Sequence, residues 1–348
     1  VTHHILIGAD AYDYTLDQIQ NRFRPSLANP NGINVLNPVY GQLPVVGPFT
    51  STLEKQKATG FYVQDQMDLS EQWKFLAGVR VDHFDQNLRD RIASVTTKQN
   101  KTATSPRVGL VYEPSKTVSV YASYSKGFRP NSGQNAAGVA FEPEFSSSTE
   151  IGTKLQSEDE RLSATIALYR ARKSNMLTSD PVNTGFSIAA GEAESKGLEF
   201  DLAGKINDDW SIMLAYANTN AKITKASLDV NFGFSLPVGS QLINIPKDSA
   251  NLLLNREFRF GSGARLSLGG GLTYVGERLG ETGVPTFQLP AYTLISLMGS
   301  YAPTERLSFT LNVNNAADRV YYPSSYARAW VAPGSPRATT LRVQYKFR

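Results

Sequence analysis

The 348-residue chain contains no cysteine, so a disulfide framework and thiolate metal sites are both excluded. Histidine is scarce, with only His3, His4 and His83, and there are three tryptophans. No stretch approaches the ~18 consecutive apolar residues of a transmembrane helix, and mean hydropathy is −0.28. That absence leaves a membrane open, because barrel strands alternate and their lumen-facing half averages away the hydropathy signal. A surplus of one charge is also lacking. The net charge is +4 with scattered basic residues, so no nucleic-acid partner is expected. The opening residues, Val1-Thr-His-His-Ile5, have neither a charged n-region nor an apolar h-region. No signal peptide is expected there, and the chain reads as starting inside an architecture.

Aromatic residues and glycine are plentiful: 16 Tyr, 17 Phe and 27 Gly. They suit strands, aromatic girdles and turns. Near the C-terminus Leu341, Val343, Tyr345 and Phe347 alternate with Thr340, Arg342, Gln344 and Lys346. Successive strand side chains face opposite sides, so one set is apolar and the other polar. The same period recurs and predicts about fourteen strands. They fall near 4–15, 58–69, 74–85, 103–113, 117–126, 147–157, 161–171, 194–206, 210–221, 248–257, 265–276, 291–302, 306–315 and 338–347.

A soluble sandwich would alternate too, and three further features bear on the choice. Many segments reach ten residues or more, against about 5–6 in soluble proteins; about 9–11 tilted residues cross a bilayer. The connections alternate in length. Short ones fall at 68–73, 113–116, 157–160, 206–209, 256–264 and 302–305, and long ones at 16–57, 86–102, 127–146, 172–193, 222–247, 277–290 and 316–337. Short periplasmic turns and long extracellular loops are the outer-membrane asymmetry. Finally, Trp73, Tyr112, Trp210, Tyr301 and Phe347 mark the short-turn rim, while Tyr124, Tyr169, Tyr216 and Tyr274 lie toward the other, as girdles require.

No catalytic constellation emerges, and no enzyme is expected. Asp82-His83-Phe84-Asp85 could suggest a metal site, but alternation sends His83 to the face opposite Asp82 and Phe84. Lys196 and Glu199 read as polar wall residues, and Gly269-Gly-Gly271 as tight packing or a bend.

Several segments, taken in order, resemble the TonB-dependent siderophore receptors. They are Gly60-Phe-Tyr-Val-Gln-Asp-Gln66, Tyr121-Ala-Ser-Tyr-Ser-Lys-Gly-Phe-Arg-Pro130, Phe141-Glu-Pro-Glu144, Thr149-Glu-Ile-Gly-Thr-Lys154, Ala193-Glu-Ser-Lys-Gly-Leu-Glu-Phe200, Leu272-Thr-Tyr-Val-Gly276, and Asn312-Val-Asn-Asn-Ala-Ala-Asp-Arg-Val-Tyr-Tyr322 with Gly334-Ser-Pro-Arg337. The resemblance implies an all-β transmembrane barrel of 22 antiparallel strands around a plug. About fourteen strands would make residues 1–348 the C-terminal portion of that barrel, without plug, TonB box or first strands. An open curved sheet is then expected, with forced smaller closure as the alternative. Arg348 departs from the family's terminal aromatic.

The implied function is TonB-energised transport of ferric siderophores across the outer membrane of a Gram-negative bacterium. The chain would supply barrel wall and recognition loops as a monomer, in contact with outer-membrane lipid and lipopolysaccharide. No cofactor is expected, because the iron arrives already ligated by the chelate. Candidate ligand contacts are the loop residues Tyr40, Phe49, Phe128, Arg129, Phe145, Tyr326 and Trp330, with Tyr326 at a position similar to a ligand-contacting aromatic of ferrichrome-type receptors. Each could instead pack loops together, and Phe128-Arg-Pro reads as structural. A passive porin-type channel, or one for another nutrient chelate, is the alternative function.

Overall fold

The computed structural model describes residues 1–23, 32–41, 43–183, 186–229 and 233–347; Arg348 lies outside them. Among the described residues there is no helix, and fourteen antiparallel strands form one sheet in chain order. They are β1 (Thr2–Arg22), β2 (Gly47–Asp68), β3 (Trp73–Asp90), β4 (Val95–Ser115), β5 (Val118–Arg129), β6 (Glu144–Gln156), β7 (Leu162–Ser179), β8 (Ser187–Lys205), β9 (Trp210–Lys225), β12 (Asp248–Arg259), β13 (Arg265–Val275), β16 (Tyr292–Ala302), β17 (Leu307–Asn314) and β20 (Ala338–Tyr345). Between them sit three small two-stranded pairs. These are β10 (Ser227–Leu228) with β11 (Ser235–Leu236), β14 (Arg278–Leu279) with β15 (Gln288–Leu289), and β18 (Ser324–Ala327) with β19 (Trp330–Ala332).

The register sorts the side chains by face. One row runs Ala164, Leu202, Leu214, Leu252, Leu272, Ile295, and another runs Leu268, Gly299, Leu311, Leu341. Both are apolar and form the outer surface. The neighbouring row Ser267, Ser300, Thr310, Arg342 is polar, as is the face carrying Glu199, Asn312 and Arg265. A wall that is apolar outside and polar inside separates lipid from a wet lumen.

The short turns are built by side chains that stand in for backbone partners. The Ser157 hydroxyl accepts the Arg161 and Leu162 N–H groups. The Asn207 side-chain oxygen accepts those of Asp209 and Trp210, and the Thr304 hydroxyl those of Arg306 and Leu307. Such Asx and Ser/Thr turns close a hairpin in few residues. On the outer surface beside the β2–β3 and β4–β5 turns, the Trp73 and Tyr112 rings meet at 4.5 Å.

At the other rim the structure corrects the sequence reading. β1 reaches Arg22 and β2 starts at Gly47, so the expected 16–57 loop narrows to 23–46. The expected 86–102 loop is mostly strand, and β3 and β4 continue to a turn at 91–94. Phe49, Phe128, Arg129 and Phe145, expected in loops, lie in β2, β5, β5 and β6. Above the apolar band both faces are wet, so alternation fades, yet backbone N–H and C=O groups still seek partners and pairing continues. Tyr169 is a second correction. It sits on the inner face, one residue out of phase with outward Leu168, and its hydroxyl lies 3.3 Å from the Thr219 hydroxyl.

β1 and β20 have no partner on their outer sides among the described residues, so the sheet is open, as expected over forced closure. Tyr169 reaches Thr219 by lying across Gly197, where an added Cβ would stand 2.0 Å from the Asn218 carbonyl oxygen. Gly197→Val is expected to cost about 1–3 kcal/mol, as overpacking does. Urea unfolding from liposomes checks it, with Gly299→Val as the permissive control, since the atoms nearest a Cβ there begin at 3.5 Å.

Candidate functional site

Long loops and extended strand ends gather at one end of the wall, on its inner side. The first assembly centres on Phe84, which is fully buried on the inner face of β3. The ring of Phe128 packs on it at 5.9 Å between centroids. Around this pair runs a polar chain. The Gln86 side-chain amide and the Ser132 hydroxyl both donate to the Glu54 carboxylate, the latter at 2.7 Å. The Gln99 amide donates to the Gln86 side-chain oxygen at 2.6 Å and to the Asn131 carbonyl at 3.0 Å. Asn131 donates to the carbonyls of Glu142 and Asn175 at 2.8 and 2.9 Å. Glu54, Gln86, Gln99 and Asn131 are all buried. Each polar group therefore needs its partner, and the 130–143 connection is pinned across the inner face of β2–β4.

The second assembly joins three connections. Arg278 is 2% exposed and has no carboxylate partner among the described residues. Its guanidinium donates to the carbonyls of Gly276, Pro290 and Tyr322 and lies 5.3 Å from the Tyr292 ring centroid. Burial pushes this guanidinium below its ordinary value. Asn244, held in a left-handed conformation (φ 61°), accepts the Ser325 N–H at 2.9 Å and donates to the Ser325 carbonyl at 2.8 Å. Glu281 accepts from the Arg328 N–H and guanidinium at 3.0 and 2.9 Å. The 237–247, 276–291 and 315–337 connections are thereby one interlocked body.

On that body the β18–β19 hairpin presents Tyr326 and Trp330, 45% and 59% exposed, with ring centroids 5.9 Å apart. This is an apolar platform held by a rigid base. The other expected contacts are distributed. Phe145 pairs with Phe128 across β5 and β6, and Arg129 faces Glu144, which also holds Lys173 at 2.6 Å. Phe49 lies under the Arg22 guanidinium at 5.2 Å. Tyr40 is 81% exposed in the irregular 32–41 segment. Phe128 is thus a packing residue, Phe145 and Arg129 are rim residues, and Tyr326 with Trp330 forms the one expected aromatic pair exposed as a unit.

Arg278, Asn244, Glu281 and the Glu54–Gln86–Gln99 chain were not singled out from sequence. Each is a lone polar residue beyond the alternating band, where spacing carries no signal. Below the mouth, the inner wall is charged and cross-linked. Arg80 is forked between Asp10 and Asp82, and the Tyr121 hydroxyl donates to Glu150. His83 faces outward, near Thr102 and Asn100, and away from Asp82. Among the described residues no cluster of three potential ligands could hold a metal ion.

Residues 1–316 match the family described as TonB dependent receptor-like, beta-barrel. The chain belongs to that family. It is 37% identical to the metal-pseudopaline receptor CntO of Pseudomonas aeruginosa over all of its own length and 49% of that protein's. It is 28% identical to the ferrioxamine B receptor of Salmonella typhimurium, covering all of this chain and 48% of the relative. The chain therefore spans about half the length of these curated relatives. The solved siderophore receptor PiuA of Acinetobacter baumannii superposes with a TM-score of 0.84 at 22% identity, over 99% of this chain and 53% of the other, which shows the shared fold. The ferripyoverdine receptor of P. aeruginosa bound to ferripyoverdine gives 0.74 at 22% identity, over 99% of this chain and 46% of that one. TonB-dependent receptors are transport receptors and not enzymes as a family.

Proposed function

We propose that the chain forms the wall and extracellular recognition mouth of a Gram-negative outer-membrane receptor that imports metal chelates, ferric siderophores among them, with energy supplied through TonB. The observation that carries this reading is the Tyr326–Trp330 platform on its interlocked base, at the long-loop end of a wall belonging to this family. Metal chelates are large and partly apolar, with the ion already satisfied. Aromatic faces and a few donors suffice to hold them, since such sites are mostly apolar with sparse polar groups. The 37% identity to a metal-pseudopaline receptor supports a cargo class of metal chelates that is broader than ferric siderophores alone. The passive-channel alternative is not favoured, since the relatives this chain matches are receptors for metal chelates and siderophores.

In the receptor at its natural length, Tyr326→Ala or Trp330→Ala should weaken chelate binding about tenfold or more, the loss of an aromatic from a desolvated patch being worth ~2 kcal/mol. Changes at Thr304 or Glu305, in a short turn of the opposite rim, should leave affinity alone. Fluorescence-quenching titrations with ferric hydroxamate, ferric catecholate and metal–pseudopaline complexes decide both the site and the cargo class. Unchanged affinity in both aromatic variants removes the platform from the site.

A further inference from the structure

The ladder between β4 and β5 stops well short of the mouth, and a single residue stops it. The Glu113 N–H donates to the Gln72 carbonyl at 2.8 Å, so odd-numbered residues of β4 bond toward β3. Bonding sides alternate along an antiparallel strand. Even-numbered residues therefore turn toward β5, Tyr112 with Val120, Leu110 with Ala122 and Val108 with Tyr124. The next rung would join residue 106 to Lys126, but residue 106 is proline and has no N–H to give. The register ends there, at Arg107 with Ser125. Above it β5 is paired with β6 alone, and β4 runs on to Val95 held by β3 alone.

The upper part of β4 is thus a strand edge within the wall. Thr96, Lys98, Asn100, Thr102 and Thr104 turn their N–H and C=O groups to the open side, and all are exposed. Among the described residues nothing bonds to these backbone groups. The 130–143 connection leaves them clear, because it crosses the inner face, where Gln99 donates to the Asn131 carbonyl. Roughly 30 Å of strand is left unpaired, and such an edge is a template for one strand more.

Charge selects the kind of strand. Lys98 stands on the edge itself, on the outer face. Arg89 lies across from Thr96, and Lys55 lies beyond Asn87 in the row of Lys98. Lys126 sits at the foot, where the rung fails. Each is exposed, and none makes an ion pair among the described residues. The outward carboxylates beside them are already engaged: Asp85 by Asn100 at 2.6 Å, Asp13 by Lys57 at 3.2 Å and Asp17 by Arg91 at 2.6 Å.

We propose that this edge docks an extended acidic segment of a partner protein at the cell surface, added as a strand beside β4. Its backbone would take the bonds that β5 leaves unmade, and its carboxylates would meet Lys98 and Lys126. Main-chain bonds supply affinity in such strand addition, and side chains supply selectivity. A second copy of this chain fits less well, since like charges across paired edges oppose each other.

The inference goes beyond chelate import and does not depend on the cargo. Its test is fluorescence anisotropy of labelled peptides with the natural-length receptor in detergent. The peptides alternate threonine with glutamate, or threonine with lysine. A third is the acidic peptide N-methylated at alternate amides, which keeps its charge but loses the donors. The plain acidic peptide should bind roughly tenfold or more tighter than either of the others. Thr102→Pro should erase that binding, because it removes an N–H on the open side and none that serves β3. Thr102→Ala keeps the N–H and should bind as wild type. Lys98→Ala with Lys126→Ala should lower the acidic peptide to the level of the lysine one. Heat-modifiable migration on gels confirms that each barrel is folded. No binding of the acidic peptide, or equal binding of the N-methylated one, which would mark plain electrostatics, overturns the proposal on wild-type protein alone. Full affinity in Thr102→Pro overturns it as well. So does a receptor that dimerises by itself and loses its dimer in Thr102→Pro, which would assign the edge to a second copy.

Discussion

Arg278→Met should release the extracellular mouth while leaving the barrel wall standing. The arginine is the only cation buried in the interlocked loop body among the described residues, and it donates to three carbonyls, those of Gly276 and Pro290 at the two ends of the 276–291 connection and that of Tyr322 in the 315–337 connection. Methionine fills similar volume but donates nothing, so these acceptors lose their partner at roughly 1–3 kcal/mol for each one left dry. The Tyr292 ring loses its cation as well. Because the β18–β19 hairpin is tied to this body through Ser325 and Asn244, Tyr326 and Trp330 lose their fixed base. The expected result is at least tenfold faster proteolysis within 276–291 and 315–337, and chelate binding weakened tenfold or more. Heat-modifiable migration should stay normal. Arg278→Lys should recover little, since an ammonium cannot span the carbonyls that a planar fork reaches. Wild-type protease resistance in Arg278→Met would show that the loops are held without it.

Leu311→Arg should be among the costly changes on the outer surface, at about 2–4 kcal/mol for an arginine near the bilayer midplane. Leu311 lies mid-strand in β17, flanked in register by Gly299 and Leu341, with Leu268 next in the row. The neighbouring Thr310 shares its row with Ser300 and Arg342 on the polar face, and its hydroxyl lies 3.2 Å from that of Ser300. Thr310→Arg keeps its guanidinium hydrated in the lumen and should cost much less. Urea titrations of the natural-length receptor in liposomes compare the two. Equal destabilisation would refute the division of the wall into an apolar outer and a polar inner face.

What was legible in the sequence followed from a rule that the bilayer enforces. Where one face meets lipid and the other water, each strand must alternate, so Leu266, Leu268 and Leu272, or Leu341, Val343 and Tyr345, announce both strand and facing. The turns that join such strands at the short rim carry Ser, Asn or Thr, whose side chains complete the backbone bonds locally. Strand number, order and outer surface were therefore determined by residue order alone, as was the placing of His83 away from Asp82. Above the membrane that constraint lapses. With both faces in water, β1–β4 extend well past the last alternating residue, and Phe49, Phe128, Arg129 and Phe145 become strand residues. Which loops interlock was decided only by the tertiary structure. Arg278 and Tyr322, or Asn244 and Ser325, meet across long separations in the chain, and no local period encodes a contact between loops.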